Sequence, residues 1–457
     1  MKPIPFSSLA VWSGGVLAHG QGERTVTRVT TDSRAILPGD LFVALSGERF
    51  DGHDYVADAF RQGALAVMVS REIPPSALVA GCGVIRVDDT LRGLQKLATH
   101  YRQSLGVRVV AVTGSNGKTS AKEFLSSVLA PLGPVAKTSG NLNNHIGVPL
   151  TLLQIDESHH WAVVEMGMNH PGEIRPLVEM ARPEIGVITQ AGWAHIEHFS
   201  DREAIAAEKG EVAYHLPENG FAVLQGDNPR LRALAPRIPV PVAWVGSGPD
   251  NTFQISGIVV QPERSSFDVQ IGNRIERFTI RVPGSHMAHN AALAVAVAVR
   301  LGIAPELIRA CLEEACLPKG RMALRKRRSG WIMDDSYNAN PDSMAAAFAT
   351  LMALPGKGRG VALLGSMGEL GIRTGELHHW VGAAAADAGI RCLHAIGHGA
   401  DDLVEGAKSR GMENVSVWND HESLVRGYLE TARDDDRVVV KGSRSAEMEK
   451  ILPNLEN

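Results

Sequence analysis

The stretch that most constrains the fold is Val109-Val110-Ala111-Val112-Thr113-Gly114-Ser115-Asn116-Gly117-Lys118-Thr119-Ser120. An apolar, β-branched run stops at a Gly-Ser-Asn-Gly turn, and Lys-Thr then opens a helical pattern. That is how a buried parallel strand feeds a phosphate-binding loop. In the turn Gly114, Ser115, Asn116 and Gly117 the glycines let backbone N–H groups turn inward, and the helix N-terminus adds partial positive charge. Lys118 reaches the β- and γ-phosphates, and the Thr119 hydroxyl suits Mg²⁺. The usual pattern has a glycine where Val112 stands, so this loop is a shortened variant. An ordinary strand–turn–helix is the competing reading, and the flanking strand and helix make it the weaker one.

At 457 residues the chain has room for about three domains. Its 44% hydrophobic and 21% charged residues are those of an ordinary globular protein. A formal net charge of −4 gives no electrostatic case for nucleic acid or an anionic membrane surface. Cys82, Cys311, Cys316 and Cys392 lack metal-ligand spacing and fit a reducing compartment. Cys311 and Cys316 share one Ala/Leu-rich helical stretch and read as core residues. Pro3 and Pro5 interrupt any apolar leader, and the hydrophobic helical segment 288–301 is too short to span a bilayer, so a cytoplasmic chain without membrane insertion is expected.

The apolar runs divide the chain into three α/β units. Residues 1–105 read as a small domain with strands at 26–30, 41–45, 66–69 and 84–87 and helices at 55–62 and 91–104. Residues 106–318 carry the loop and further runs at 162–164, 185–189, 221–224 and 242–245, the mark of a mostly parallel sheet. Residues 253–282 alternate polar with apolar, as an antiparallel appendage does, and helix 286–301 is apolar all round and buried. Residues 319–457 form a doubly wound, Rossmann-like pattern with strands at 331–333, 361–364, 392–396, 415–417 and 438–440. Residues 318–321 read as a hinge.

Polar clusters follow many of these runs. Thr31, Asp32, Ser33 and Arg34, and then 46–53 with Gly47, Asp51, Gly52 and His53, read as solvated turns at least as readily as a ligand crevice. Asn141, Asn143 and Asn144 lie between the phosphate loop and Glu165. Glu165 ends a strand on the loop's side, as the acidic partner of a nucleotide site does. His195 lies in a loop, and Lys209 stands on a helical stretch between acids, where a solvated face is the plain reading. His286 and Asn290 share one helix face. In the third unit, 335–341, 365–371 and 440–445 are polar loops on one sheet edge.

These residues resemble the Mur ligase family, ATP-dependent amide-forming enzymes of peptidoglycan synthesis, over essentially the whole chain. The resemblance rests on 113–119, the Asn-rich loop 141–147, Glu165, His195 and Lys209-Gly210-Glu211. Residues 165–174, 335–341, 365–371 and 441–444 resemble the member that adds D-alanyl-D-alanine. Asp227-Asn228-Pro229-Arg230 is similar to a motif of the diamino-acid-adding relative but lies in the middle unit, and reads as a turn.

By that resemblance, Gly114 to Thr119 hold ATP, Thr119 and Glu165 surround one Mg²⁺, and His195 and a carbamylated Lys209 serve a second. Lys118, Lys209, His195 and Arg321 carry the catalysis, Asn290 faces the adenine, Arg321 the phosphates and Asp335 the ribose. Thr31 to Arg34 and 46–53 hold the uridine diphosphate end of UDP-N-acetylmuramoyl-tripeptide. Asn141, Asn143 and Asn144 also face substrate, while Asn338, Asn340, Lys441 and Arg444 cover the peptide and D-alanyl-D-alanine. A monomer is expected, with the third domain closing on the second. Met287 and Ser366 depart from the family's Asn and Asp. The alternatives are a ligase of the family adding a diamino acid or glutamate, and a P-loop NTPase without amide chemistry.

Overall fold

The computed structural model describes residues 1–48 and 50–455. In the N-terminal lobe a five-stranded sheet orders Val16–His19, Gly83–Arg86, Ala66–Val69, Asp40–Val43 and Arg28–Thr30, with only the first strand antiparallel. The strand expected at 26–30 is split. Thr25–Val26 pairs with Ile4–Pro5 in a separate ribbon, and Arg28–Thr30 joins the main sheet, where Arg28 Nε donates to Asp40 at 2.8 Å. Leu41, Val43, Ala66 and Met68 face the main core while Phe42, Val67 and Val69 face a second one. Strands buried on both faces read as continuous apolar runs.

The central sheet orders Arg274–Ile280, Arg264–Ile271, Phe253–Gln261, Val242–Gly246, Phe221–Gln225, Ile185–Ile188, Arg108–Thr113, Trp161–Glu165 and Val135–Lys137. The expected antiparallel appendage is present, and it continues the same sheet at one edge. Arg108–Thr113, which delivers the phosphate loop, lies between Trp161–Glu165 and Ile185–Ile188, both parallel to it. Whatever follows those two strands therefore flanks the loop at the same sheet edge. The helix Ser285–Arg300 is buried along most of its length, as its composition implies. One expectation is corrected: the backbone turns extended at Ala315, so the helix Pro305–Glu314 ends before Cys316, which is exposed, and Cys311 is only half-buried.

The C-terminal sheet orders Ala323–Arg327, Gly330–Asp334, Arg437–Lys441, Gly360–Gly365, Ile390–Ile396 and Asn414–Trp418; only the first strand is antiparallel. Ala362 and Leu364 pack on one face and Val361 and Leu363 on the other, as double winding requires. Among the described residues no helix is long and apolar enough to cross a membrane.

Candidate active site

The central and C-terminal lobes share a cavity of about 940 Å³, into which both present the loops after their strands. The phosphate loop forms part of its wall. At Gly114 (φ +155°) a Cβ would lie 1.9 Å from Thr189 Oγ1, and at Gly117 (φ +80°) one would lie 2.5 Å from Asn290 Oδ1. Neither position can carry a side chain. Ser115 Oγ accepts from the Gly192 N–H at 2.9 Å. Lys118 opens the helix Lys118–Leu129 and donates to the Gly114 carbonyl at 2.7 Å. Burial lowers its pKa, against the opposing pull of Glu165. Thr119 is buried in the cavity wall, and Asn290 packs on the loop.

Glu165 stands opposite. Its Oε1 accepts from Asn143 Nδ2 at 2.8 Å, while Oε2 is buried with no partner. A buried, unpaired carboxylate oxygen is costly, and a cation in the cavity would satisfy it. Asn143 thus orients Glu165. Asn144 directs its side-chain carbonyl to the N–H groups of Ile146 and Gly147 at 3.1 and 2.9 Å, and Asn141 lies exposed in the wall. Lys209 overturns the solvated reading of its helix: it is 1% exposed and, among the described residues, has no ion pair. Burial pushes its ammonium well below the ordinary range, and the charge of Lys118 pushes the same way.

His195 is no free surface residue either. Its side chain is 16% exposed and its Nδ1 stands 2.6 Å from Glu369 Oε2, an ion-pair contact rather than an aligned hydrogen bond. Burial lowers its pKa, and Glu369 opposes the shift. Glu369 lies in the polar loop 365–371, and nothing local to that loop points to His195. Gln190 also lacked a signal; its Oε1 accepts from Asn116 Nδ2 at 3.0 Å. His286 Nδ1 and His289 Nδ1 are buried without partners, and burial holds His286 down at about 4. Asn228 caps a short helix, so its motif is a turn as read, though one in the cavity wall.

Contacts across the cleft are specific. Asn116 and Asn340 exchange hydrogen bonds through both amides, at 3.0 and 2.8 Å. Asn340 also caps the helix Pro341–Ala353, and the Trp193 N–H reaches Asp342 Oδ2 at 2.8 Å. Arg321 stacks over Tyr337 at 4.3 Å, in the same wall as Asp335. One expectation is narrowed here. Lys441 is not a free cation for a ligand, because it is buried in an ion pair with Asp335 and donates to the Asn338 carbonyl at 2.9 Å. Asn338 is exposed to the cavity, and Arg444 pairs with Glu449 at 2.7 Å. Met287 is buried in the wall, and the carboxylate that the 365–371 loop brings to the cavity is that of Glu369, not of position 366.

Among the described residues, none of the N-terminal loops lines this cavity. Thr31 to Ser33 are half-buried and Arg34 is exposed in a turn where Arg34 and Asp32 pair at 2.9 Å. His53 is buried: its Nδ1 lies 2.6 Å from Asp51 Oδ1, and its Nε2 accepts from the Ser70 N–H at 2.9 Å. Gly52 packs against Ala44, and the Gly47 N–H reaches the Phe50 carbonyl at 2.9 Å. Arg49, within the same cluster, lies outside the described residues. Gln95 Nε2 donates to the His145 carbonyl at 3.0 Å and ties this lobe to the Asn-rich loop.

A phosphate loop, a strand-end carboxylate and a buried lysine, all facing a second α/β lobe, define a nucleotide-dependent enzyme whose site is shared between lobes. The chain belongs to the Mur ligase family. The Mur ligase middle domain matches residues 112–298, the Mur ligase, glutamate ligase domain 320–444, and the Mur ligase family, catalytic domain 25–102. The chain is 38% identical, over 96% of each, to UDP-N-acetylmuramoyl-tripeptide--D-alanyl-D-alanine ligase of Bacillus subtilis (strain 168). It is 36% identical, over 94% of each, to that of Escherichia coli (strain K12). A crystal structure of MurF from Acinetobacter baumannii superposes with TM-score 0.90 at 31% identity, over 100% of this chain and 99% of that one. MurF ligase from Thermotoga maritima in complex with ADP superposes with TM-score 0.83 at 28% identity, over 94% and 97%.

Proposed function

We propose that this chain is the ATP-dependent, ADP-forming ligase that joins D-alanyl-D-alanine to UDP-N-acetylmuramoyl-tripeptide in peptidoglycan precursor synthesis. The observation that carries the reading is full-length likeness to ligases of that name. Residues 1–105 hold the uridine diphosphate end through Thr31 to Arg34 and 46–53, 106–318 bind ATP, and 319–457 bind the dipeptide. The tripeptide carboxylate attacks the γ-phosphorus and ADP leaves, giving an acyl phosphate. The dipeptide amine attacks the acyl carbon, loses a proton, and the tetrahedral intermediate expels phosphate.

In this reading Lys118 and Arg321 hold the transferring phosphoryl group, Asn290 the adenine and Asp335 the ribose. Positioning and electrostatics supply most of the rate in such chemistry. Among the described residues no group of three or more His, Cys, Asp or Glu converges on a metal position, so magnesium here would lean on the phosphates as well as the protein. Thr119, Glu165, His195 and Lys209 are the side chains that would hold it, neutralising charge on the phosphates. Its fit rests on the orphaned Glu165 Oε2. The buried Lys209 favours its neutral amine, the form that adds CO₂, and a carbamate there would turn an uncompensated cation into an anionic ligand. The enzyme works as a monomer in the cytoplasm.

The test follows ADP release with the UDP-muramoyl tripeptide and either D-alanyl-D-alanine or single amino acids. Release that depends on D-alanyl-D-alanine is expected. Release independent of any amine acceptor overturns the ligase reading, and preference for a diamino acid assigns the chain to the related activity. Lys209→Ala that keeps full activity, unaffected by CO₂ depletion, removes the carbamate.

A further inference from the structure

Two non-glycine residues in left-handed backbone meet across the cleft. His195 has φ +63° and Glu369 φ +59°, a conformation that persists only where the surroundings over-determine it. The Glu369 carbonyl accepts the Glu197 N–H at 3.1 Å. Gly371 lies so close that a Cβ there would stand 3.0 Å from Glu197 Cγ. The turn after His195 and the loop of Glu369 are thus docked backbone to backbone before any side chain contributes. On that docked pair Glu369 Oε2 stands 2.6 Å from His195 Nδ1, and both residues line the cavity that holds Lys118 and Glu165.

We propose that Glu369 is a positioning residue for His195, acting across the lobe interface. Its negative charge beside Nδ1 favours the ring proton on that nitrogen, leaves Nε2 as the lone-pair nitrogen available to a divalent cation, and makes this state depend on docking of the C-terminal lobe. A neutral imidazole carries one N–H, and an acceptor beside one nitrogen decides which. A carboxylate in that place also raises the basicity of the other nitrogen, and its loss typically costs about 10- to 100-fold in metal affinity. The inference rests on the reading above that His195 faces magnesium. Lys118 and Glu165 are contributed by the central lobe alone. Glu369 is therefore a group through which the C-terminal lobe reaches the metal side of the site.

The test uses the full-length protein and its Glu369→Gln, Glu369→Asp, Glu369→Ala, His195→Ala and His195→Ala/Glu369→Ala variants, with melting temperatures to confirm folding. Mn²⁺ binding in the presence of a non-hydrolysable ATP analogue is read by electron paramagnetic resonance. The His195 tautomer is read in metal-free protein from ¹⁵N imidazole resonances, assigned by their loss in His195→Ala. Glu369→Gln and Glu369→Ala are expected to weaken Mn²⁺ binding about 10- to 100-fold and to shift His195 away from the Nδ1–H pattern, with partial rescue in Glu369→Asp. On the His195→Ala background, Glu369→Ala should add nothing. A folded Glu369→Gln with unchanged Mn²⁺ affinity or an unchanged tautomer overturns the proposal. So does an equal loss on the His195→Ala background, since Glu369 would then act without His195. The tautomer needs neither metal nor dipeptide, so this arm stands apart from failure of the ligase reading, which shows as ADP release without an amine acceptor.

Discussion

The N-terminal lobe and the central cleft both place polar loops after parallel strands, and the two sets of loops end in opposite electrostatic states. In the N-terminal lobe the groups satisfy one another. Both His53 nitrogens have partners in Asp51 and Ser70, and Asp32 has Arg34. In the cleft, Glu165 Oε2 is buried without a partner and Lys209 is buried without an anion among the described residues. The N-terminal loops, proposed above to hold the uridine diphosphate end, close the hydrogen bonds of their buried groups internally, whereas the cleft keeps buried charged groups open, as a site for the triphosphate and its cation does. A run of Asp, Ser, Asn and His has the same composition in either case.

The sharpest way to break this contrast is Lys118→Ala, which should lower ADP release roughly 10²- to 10³-fold with little change in melting temperature, because among the described residues the Lys118 ammonium bonds only its own loop. Next, His53→Ala should act in the reverse sense. It leaves the Ser70 N–H without its acceptor, removes one of the partners of Asp51, and should cost about 1–3 kcal/mol of stability in denaturant titrations, with the affinity for an ATP analogue unchanged. A large loss of nucleotide affinity in His53→Ala would show that the two regions are not independent.

Between these stands the Asn116–Asn340 exchange, which belongs to both lobes. A double-mutant cycle of Asn116→Ala and Asn340→Ala, read in ATP-analogue affinity, should give a coupling of about 1–2 kcal/mol. No coupling would mean that closure does not sense the phosphate loop. The effect confined to acid pH concerns His286. Burial holds His286 at about 4, below its unfolded value near 6.5. The folded state therefore binds fewer protons between these values. Its stability is complete above about pH 6.5 and falls as pH drops toward 4, by at most about 1.4 kcal/mol per unit. His286→Gln should flatten that slope in melting curves. Asp51, held at about 2 by the His53 N–H groups, titrates below this window and leaves the slope unchanged.

Much of the fold was legible because its strands are buried on both faces. Val109, Val110, Ala111 and Val112 are all fully buried, and such a run reads as a strand from composition alone. The edge strands Val135–Lys137 and Ala323–Arg327 were not legible, one being only three residues long and the other charged at three of its five positions. In the site, Gly114 to Thr119 and Glu165 announced themselves by position after a strand. Lys209 did not: flanked by Glu208 and Glu211 it looks solvated, and only packing of its helix Arg202–Tyr214 against the sheet encloses it. Lys441 misled in the other direction, because its counter-charge, Asp335, lies far away in the chain.

The sequence by itself determined the shortened phosphate loop, the alternation of strand and helix in three units, and the family, since each is written in contiguous residues. Tertiary structure alone decided which polar atoms are paired and which stay open. Asn116 finds Asn340 across 224 positions, and His195 finds Glu369 only where two docked loops bring them together. A hydrogen bond needs its partner within about 3 Å, and at such separations in the chain only the packing of one lobe on another sets that distance.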